Sequence, residues 1–498
     1  MNQPGIRLRV RKGWFKGPWA EVKIHLALCL VVGSTLLFAE PRVTFVAGGL
    51  LSFVTYGYLC LREARKATLW LSPLSFYFSW YCIGMGISPL YLGLTVAAKD
   101  SIRFASDSTM VSLEDLAIGY VIYLFGSLAL HAGMQKFRPP VREEVEVNAG
   151  RHFLAWLAAV WIGGLVFQLS PASFSFLGAT AKILSVAVVG SVCGFAVLSR
   201  KSLGLSRYAY VAILAVGTAG LFFGNLASGS KAYIMFSFLP MFWLFIKSPR
   251  LRVWTPALVL VLGAFYLGLV APVVQTSRQR PLGEGENARG HLIETFEVWN
   301  RDAPTGITQE FLFDQFDQFL SRQFDPVPVG FIVGEVDTSG LLLGETMKYA
   351  AYAFIPRLIW PDKPTVTRGA WFSTQLGLFD TEADATTSIG MTAVGELYWN
   401  FGVFGVLIGM LAVGCFQGIL WRLAGSDPRG KPIHMLLYVT VMLSMTDMPE
   451  AVTVFASLAV TFLTFKAAFV IMELVQRRKA RGTAILRPQI PSIIRTLR

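Results

Sequence analysis

The sequence predicts an all-α polytopic membrane protein. It crosses the bilayer about twelve times and carries one large polar loop between the ninth and tenth spans. Three observations lead there. Of 498 residues, 54% are hydrophobic and only 15% charged, whereas soluble domains run near a quarter charged. Apolar runs recur along the chain, with a mean hydropathy of +0.54. Lys and Arg gather in alternate connections between those runs, which fixes a sidedness.

The spans fall near 24–39, 43–61, 69–97, 115–134, 152–169, 181–198, 207–226, 232–246, 253–274, 391–419, 432–447 and 451–474. A crossing needs about 20 apolar residues, so the eighth and eleventh are short and the third is long. Pro73 and Pro89 in the third predict a kink or a re-entrant end. The connections LREARK, QKFRPPVREE, SRKSLGLSR, KSPRLR and WRLAGSDPRGK, with the two termini, hold most of the 44 Lys and Arg residues. The opposite connections hold few, among them Arg42, Lys99, Arg103, Lys182 and Lys231. By the positive-inside rule both termini are cytoplasmic and the long loop lies outside. The basic start (Arg7, Arg9, Arg11, Lys12, Lys16) leads into an apolar run with no small-residue cleavage site, so the first span is expected to serve as its own anchor. The organisation expected is a membrane region over 1–274, the loop over 275–390, a second membrane region over 391–474 and a basic cytoplasmic tail over 475–498.

The net charge of +13 is then topology and attraction to anionic headgroups. The basic residues are scattered over short loops, so no nucleic-acid partner is expected. All five Cys (29, 60, 82, 193, 415) fall in spans, so the loop has neither a disulfide framework nor a Cys metal site. The five His are scattered, with no HExxH. There is no Walker motif and no GxGxxG opening a helix, so no metal and no cofactor are expected, and ATP-driven transport is unsupported.

Within the loop, Leu312, Phe313, Phe316, Phe319 and Leu320 recur three and four apart, with Glu310, Asp314, Asp317 and Arg322 between them. This predicts an amphipathic helix that packs on the tops of the spans or lies among outer headgroups. Farther on, Pro356, Pro361 and Pro364 forbid helix and predict a rigid extended strip presenting Arg357 and Lys363 beside Trp360. Such a strip suits a lipid-linked phosphate and its sugar, since Arg forks onto phosphate oxygens and Lys adds a point charge. Simple anchoring to headgroups is the open alternative.

These residues carry a resemblance. Gly344, Pro356, Arg357, Trp360, Pro361, Lys363 and Pro364, followed by GELYWNFGVFGVLIG from Gly395 to Gly409, look like the Wzy-type oligosaccharide repeat unit polymerases of bacterial surface polysaccharide assembly. SGSKAYIMF (Ser228 to Phe236) resembles a turn of that family, with Lys231 where Arg is commoner. The motifs cover the C-terminal half.

The resemblance implies a multi-span GT-C-like fold in the bacterial inner membrane. It implies transfer of a growing glycan from undecaprenyl pyrophosphate to a newly delivered lipid-linked repeat unit, without a metal. It also implies membrane lipids, a chain-length regulator and a flippase as partners. Cations for the leaving pyrophosphate would come from Arg357, Lys363, Lys231, Arg278, Arg280 and Arg368, with Trp360 against sugar. A general base would come from Glu396, His291, Asp380 or Asp325. An O-antigen ligase remains open through His291. A transporter or flippase of lipid-linked sugars would place charges inside the spans, and there the sequence shows mainly Lys466.

Overall fold

A computed structural model describes residues 19–66, 72–95, 101–104, 106–140, 158–163, 187–195, 204–227, 254–270, 309–349, 360, 368–381, 389–426, 432–445 and 451–485, with isolated positions between 234 and 297. The described chain is mostly helical. Four helices are long and apolar enough to cross a membrane: α1 (Ala20–Phe38), α2 (Pro41–Lys66), α5 (Leu113–Phe137) and α11 (Thr392–Ala424). Each coincides with an expected span. Their outward sides carry Phe38, Val54 and Phe404, the last 80% exposed, as expected of surfaces whose solvent is lipid.

The third expected span is helical from Pro73 to Thr95, but in three pieces. α3 (Pro73–Tyr81) starts on Ser72, whose hydroxyl accepts the Ser75 N–H at 3.1 Å. A wide π turn follows over Cys82–Ile87, then α4 (Ser88–Thr95). The irregularity falls at the turn before Pro89, which has no N–H to return to the carbonyl of Met85. Tyr120 takes that place, donating its hydroxyl to the Met85 carbonyl at 2.8 Å.

One element departs from the all-α expectation. Ser101–Phe104 and Ser106–Ser112 form an antiparallel hairpin, β1 and β2, with Ile102 opposite Val111. It delivers the chain to α5, where Ser112 caps the helix by accepting the Asp115 N–H at 3.0 Å. Glu114 and Asp115 in the first turn and Lys136 in the last complement the helix dipole.

Beyond α5 come α6 (Arg207–Ala227), α7 (Thr255–Phe265, continued by a π turn over Tyr266–Val270), α8 (Gln309–Gln323), α9 (Pro326–Ser339), a 3-10 turn (Glu345–Tyr349) and α10 (Arg368–Gln375). The chain closes with α11, α12 (Pro432–Leu443) and α13 (Ala451–Ile485). Lys466 is exposed on α13.

α5 is the spine of the fold. Most of its side chains from Leu116 to Met134 are buried among α1, α2, α3, α9 and α11. A Cβ on Gly133 would overlap the Leu411 carbonyl, and one on Gly414 the Leu130 carbonyl. Only glycine lets these two helices approach so closely, as small residues do at membrane helix contacts.

The polar loop is expected outside the bundle, yet part of it enters the bundle. The amphipathic helix forms as α8, with Phe316 against Tyr91 at 5.8 Å and Phe319 against Tyr266 at 5.7 Å. Phe313 does not join this face and is 60% exposed. Phe324 then seats against Phe45 and Tyr120, and the chain turns back as α9. α9 runs antiparallel to α5, with Gly334 beside Asp115, Gly330 against Leu116 and Asp325 bonded to Tyr123. Tyr123 lies about 15 Å along α5 from its start. α8 and α9 thus make a helical hairpin that descends well into the bundle, a shape suited to helices of 15 and 14 residues, too short to cross.

Adding bulk at the glycine contacts tests this packing. Gly414→Val and Gly119→Val force backbone apart, the second because a Cβ at Gly119 would stand 2.7 Å from the Gly330 nitrogen. Each is expected to cost about 1–3 kcal/mol, read as a lower thermal midpoint of the detergent-solubilised protein.

Candidate active site at the break in α11

α11 begins with an irregular turn. Thr392 has φ +65°, and its hydroxyl accepts the Gly395 N–H at 3.2 Å. Ten residues on, the helix breaks at Gly402, whose φ 63° and ψ −159° are open essentially to glycine alone. The sequence WNFG (399–402) therefore ends the short first part of α11 rather than continuing it.

The broken end is tied to the segment that follows α9. The Trp399 carbonyl accepts the Leu342 N–H at 2.9 Å. Fully buried Asn400 accepts the Gly344 N–H on Oδ1 at 2.9 Å and donates from Nδ2 to Thr346 Oγ1 and the Glu396 carbonyl, both at 2.7 Å. These bonds hold Leu343 (φ 49°) and Gly344 (φ 94°) in consecutive left-handed conformations. Residues 56 apart in sequence are thereby fixed together at one mouth of the bundle.

Aromatic packing supports the junction. Trp399 contacts Trp371 (5.4 Å) and Phe372 (6.0 Å) of α10, and Phe372 contacts Phe331 of α9. The Ile389 N–H donates to Ser373 Oγ at 3.3 Å, closing the chain that leads from α10 back to α11. Tyr398 is half-buried within electrostatic reach of the Asp115 and Asp337 carboxylates. Glu396 is fully buried one turn before Asn400. A carboxylate enclosed at a helix mouth can take a proton from a hydroxyl brought beside it.

The structure separates the other acids expected to serve as a base. Asp325 is at the deep end of α9, about 18 Å along that helix from Asp337, where it accepts the Tyr123 hydroxyl at 3.2 Å. Asp380 is exposed beyond α10. Trp360 is half-buried and Arg368 opens α10. Arg357, Lys363, Lys231, Arg278, Arg280 and His291 lie outside the described residues. Among the described residues, no three His, Cys, Asp or Glu side chains gather as a metal site.

The sequence drew attention to Glu396 and placed Asn400 beside it. It did not show that Asn400 is the residue binding Gly344 and Thr346, because that pairing is tertiary. Compared with known proteins, the chain matches no family model, no curated protein and no solved structure.

Asn400→Ala removes three hydrogen bonds and leaves the Gly344 N–H without its partner. It is expected to cost about 1–3 kcal/mol and to speed limited proteolysis near 340–349. Gly402→Ala is expected to cost about 1–3 kcal/mol through backbone strain alone, seen as a lower thermal midpoint.

Proposed function

We propose that this chain polymerises lipid-linked oligosaccharide repeat units at the outer face of a bacterial inner membrane. The observation that carries the reading is the junction at Asn400. Two of the separate stretches that resemble Wzy-type polymerases, the one bearing Gly344 and the one reading GELYWNFG, bond directly to each other. A resemblance made of unrelated fragments has no reason to converge in space.

In this reading the bundle is GT-C-like with about twelve spans and cytoplasmic termini. The mouth of α11 faces the periplasm. The acceptor sugar of a new repeat unit presents a hydroxyl whose proton passes to a carboxylate, with Glu396 in that role. The oxygen attacks the anomeric carbon of the growing glycan, forming the new glycosidic bond. The bond from that carbon to undecaprenyl pyrophosphate breaks, and the pyrophosphate leaves with the electron pair. Arg357 and Lys363, joined by Lys231, Arg278, Arg280 and Arg368, neutralise the charge that develops there. Trp360 offers an apolar face to sugar. A flippase supplies the substrate and a chain-length regulator limits the product.

Loss of the gene is expected to leave single capped repeat units in a gel of the surface polysaccharide. Loss of all caps would indicate a ligase, and long chains of normal length would remove the reading. At equal expression, Arg357→Ala abolishes polymer and Arg357→Lys retains part, since Lys keeps the charge and loses the fork. Glu396→Gln, which keeps shape, is expected to lower polymer formation about 10²–10⁴-fold. Full activity in all three variants would place the chemistry elsewhere.

A further inference from the structure

The turn after α9 presents leucines where a turn facing water would present polar residues. Along Leu341, Leu342 and Leu343 the side chains alternate. Leu342 is half-buried against the cluster of Phe372 and Trp399, and its N–H is bonded to the Trp399 carbonyl at 2.9 Å. Leu341 and Leu343 are left exposed, Leu343 by 78%. Leu343 is also left-handed, with φ 49°. A bulky apolar residue rarely adopts that conformation, whereas glycine or asparagine takes it at little cost. Asn400 holds the turn in this shape by accepting the Gly344 N–H.

A single exposed leucine is ordinary on a protein surface. Here it adjoins a larger apolar face. A Cβ on Gly344 would touch the Phe401 ring at 3.4 Å, so the turn lies against Phe401, which is itself exposed. Val403, Phe404 and Ile408 extend the exposed apolar surface along α11. Just past the leucines, Glu345 and Lys348 are exposed and paired at 3.3 Å.

The height of the turn follows from the break in α11. A Cβ on Gly405 would stand 2.8 Å from the Leu397 carbonyl, and one on Gly409 would overlap the Leu397 side chain. In an unbroken helix those residues are about 12 and 18 Å apart. The first part of α11 is therefore folded back beside the second and does not lengthen the crossing. The second part has 22 residues, Val403 to Ala424, and is about 33 Å long. That matches the roughly 30 Å of hydrocarbon in a bilayer. Gly402 then lies at the edge of the hydrocarbon, and the turn bonded to Trp399 and Asn400 lies at the same level.

We propose that the Leu341–Leu343 turn dips into the nearer lipid leaflet, with Leu341 and Leu343 among acyl chains beside Phe401 and Phe404. Lipid is the occupant of this face because the face adjoins the surface that α11 turns to the bilayer, at the same height. Glu345 and Lys348 stand at headgroup level, so the turn has the apolar tip and polar shoulder of an interfacial anchor. The mouth at Asn400 consequently opens sideways to lipid, and a lipid-borne ligand reaches it without leaving the bilayer.

In a full chain whose five native cysteines are replaced, the fluorophore NBD is attached in turn to Leu341→Cys, Leu343→Cys, Phe404→Cys and Gln375→Cys. Phe404 is the lipid-facing reference, and Gln375, exposed on α10, is the water-facing one. Each protein is reconstituted in vesicles of phosphatidylethanolamine and phosphatidylglycerol, with or without a lipid bearing a nitroxide near the top of its acyl chain. Iodide serves as the aqueous quencher. The nitroxide lipid is expected to quench the label at 343 to within about twofold of that at 404 and severalfold more than that at 375. The label at 341 is expected to behave likewise, and it decides the matter should Leu343→Cys fail to insert. Iodide quenching at 343 equal to that at 375 would place the turn in water. Protection at 343 from both quenchers would place it against protein. Either result overturns the proposal. The labels report position rather than catalysis, so the outcome is separate from that of the polymerase tests.

Discussion

The contact on which the rest of the structure depends is the close approach of α5 to its neighbours through glycine. Between helices in lipid there is little hydrophobic gain from association, so surfaces that fit at backbone distance supply the attraction. Gly133 and Gly414 bring α5 against α11, and Gly119 and Gly330 bring it against α9. The first contact fixes where the break in α11 lies. The second carries the α8–α9 hairpin down beside Tyr123. Both the mouth at Asn400 and the buried contact between His25 of α1 and His131 of α5 take their positions from this one helix.

A second constraint shapes the irregular places. Backbone that leaves the helix inside a bundle must find partners within protein, since hydrocarbon offers none. The Met85 carbonyl, deprived of a donor by Pro89, receives the Tyr120 hydroxyl. The Trp399 carbonyl beside the Gly402 break receives the Leu342 N–H. Asn400 does the same for the left-handed turn at Gly344. In each case one placed polar group allows a shape that a regular helix could not make, and a break lined with such groups can receive a ligand.

Much of the fold was legible in the sequence because lipid imposes length and polarity directly on a helix. Spans at α1, α2, α5 and α11 follow from that rule, and the three- and four-residue spacing of Phe316, Phe319 and Leu320 marks α8. The hairpin's descent was not legible: α9 is too short to cross and reads as a loop by length alone, while its burial depends on Gly119 and Gly330 meeting. Likewise Glu396 was among the candidate bases, but the grip of Asn400 on Gly344 and Thr346 depends on two distant segments. The histidines misled most. Dispersal along the chain suggested no joint role, whereas His25 and His131 occupy facing positions on α1 and α5. Spacing within one helix is readable; proximity between helices depends on which faces the small residues let together.

The central claim is that the segment before α11 folds back along α5 instead of lying wholly outside the bundle. The Gly334 backbone places a Cβ 3.1 Å from the Asp115 carboxylate, within the reach of a disulfide between those positions. In a chain whose five native cysteines are replaced, Asp115→Cys with Gly334→Cys should cross-link under mild oxidation in intact membranes. Asp115→Cys with the exposed Ser339→Cys, more than a helical turn away, should not. Efficient cross-linking of the first pair alone is the result this account predicts. Failure of the first pair in folded, membrane-inserted protein would contradict it.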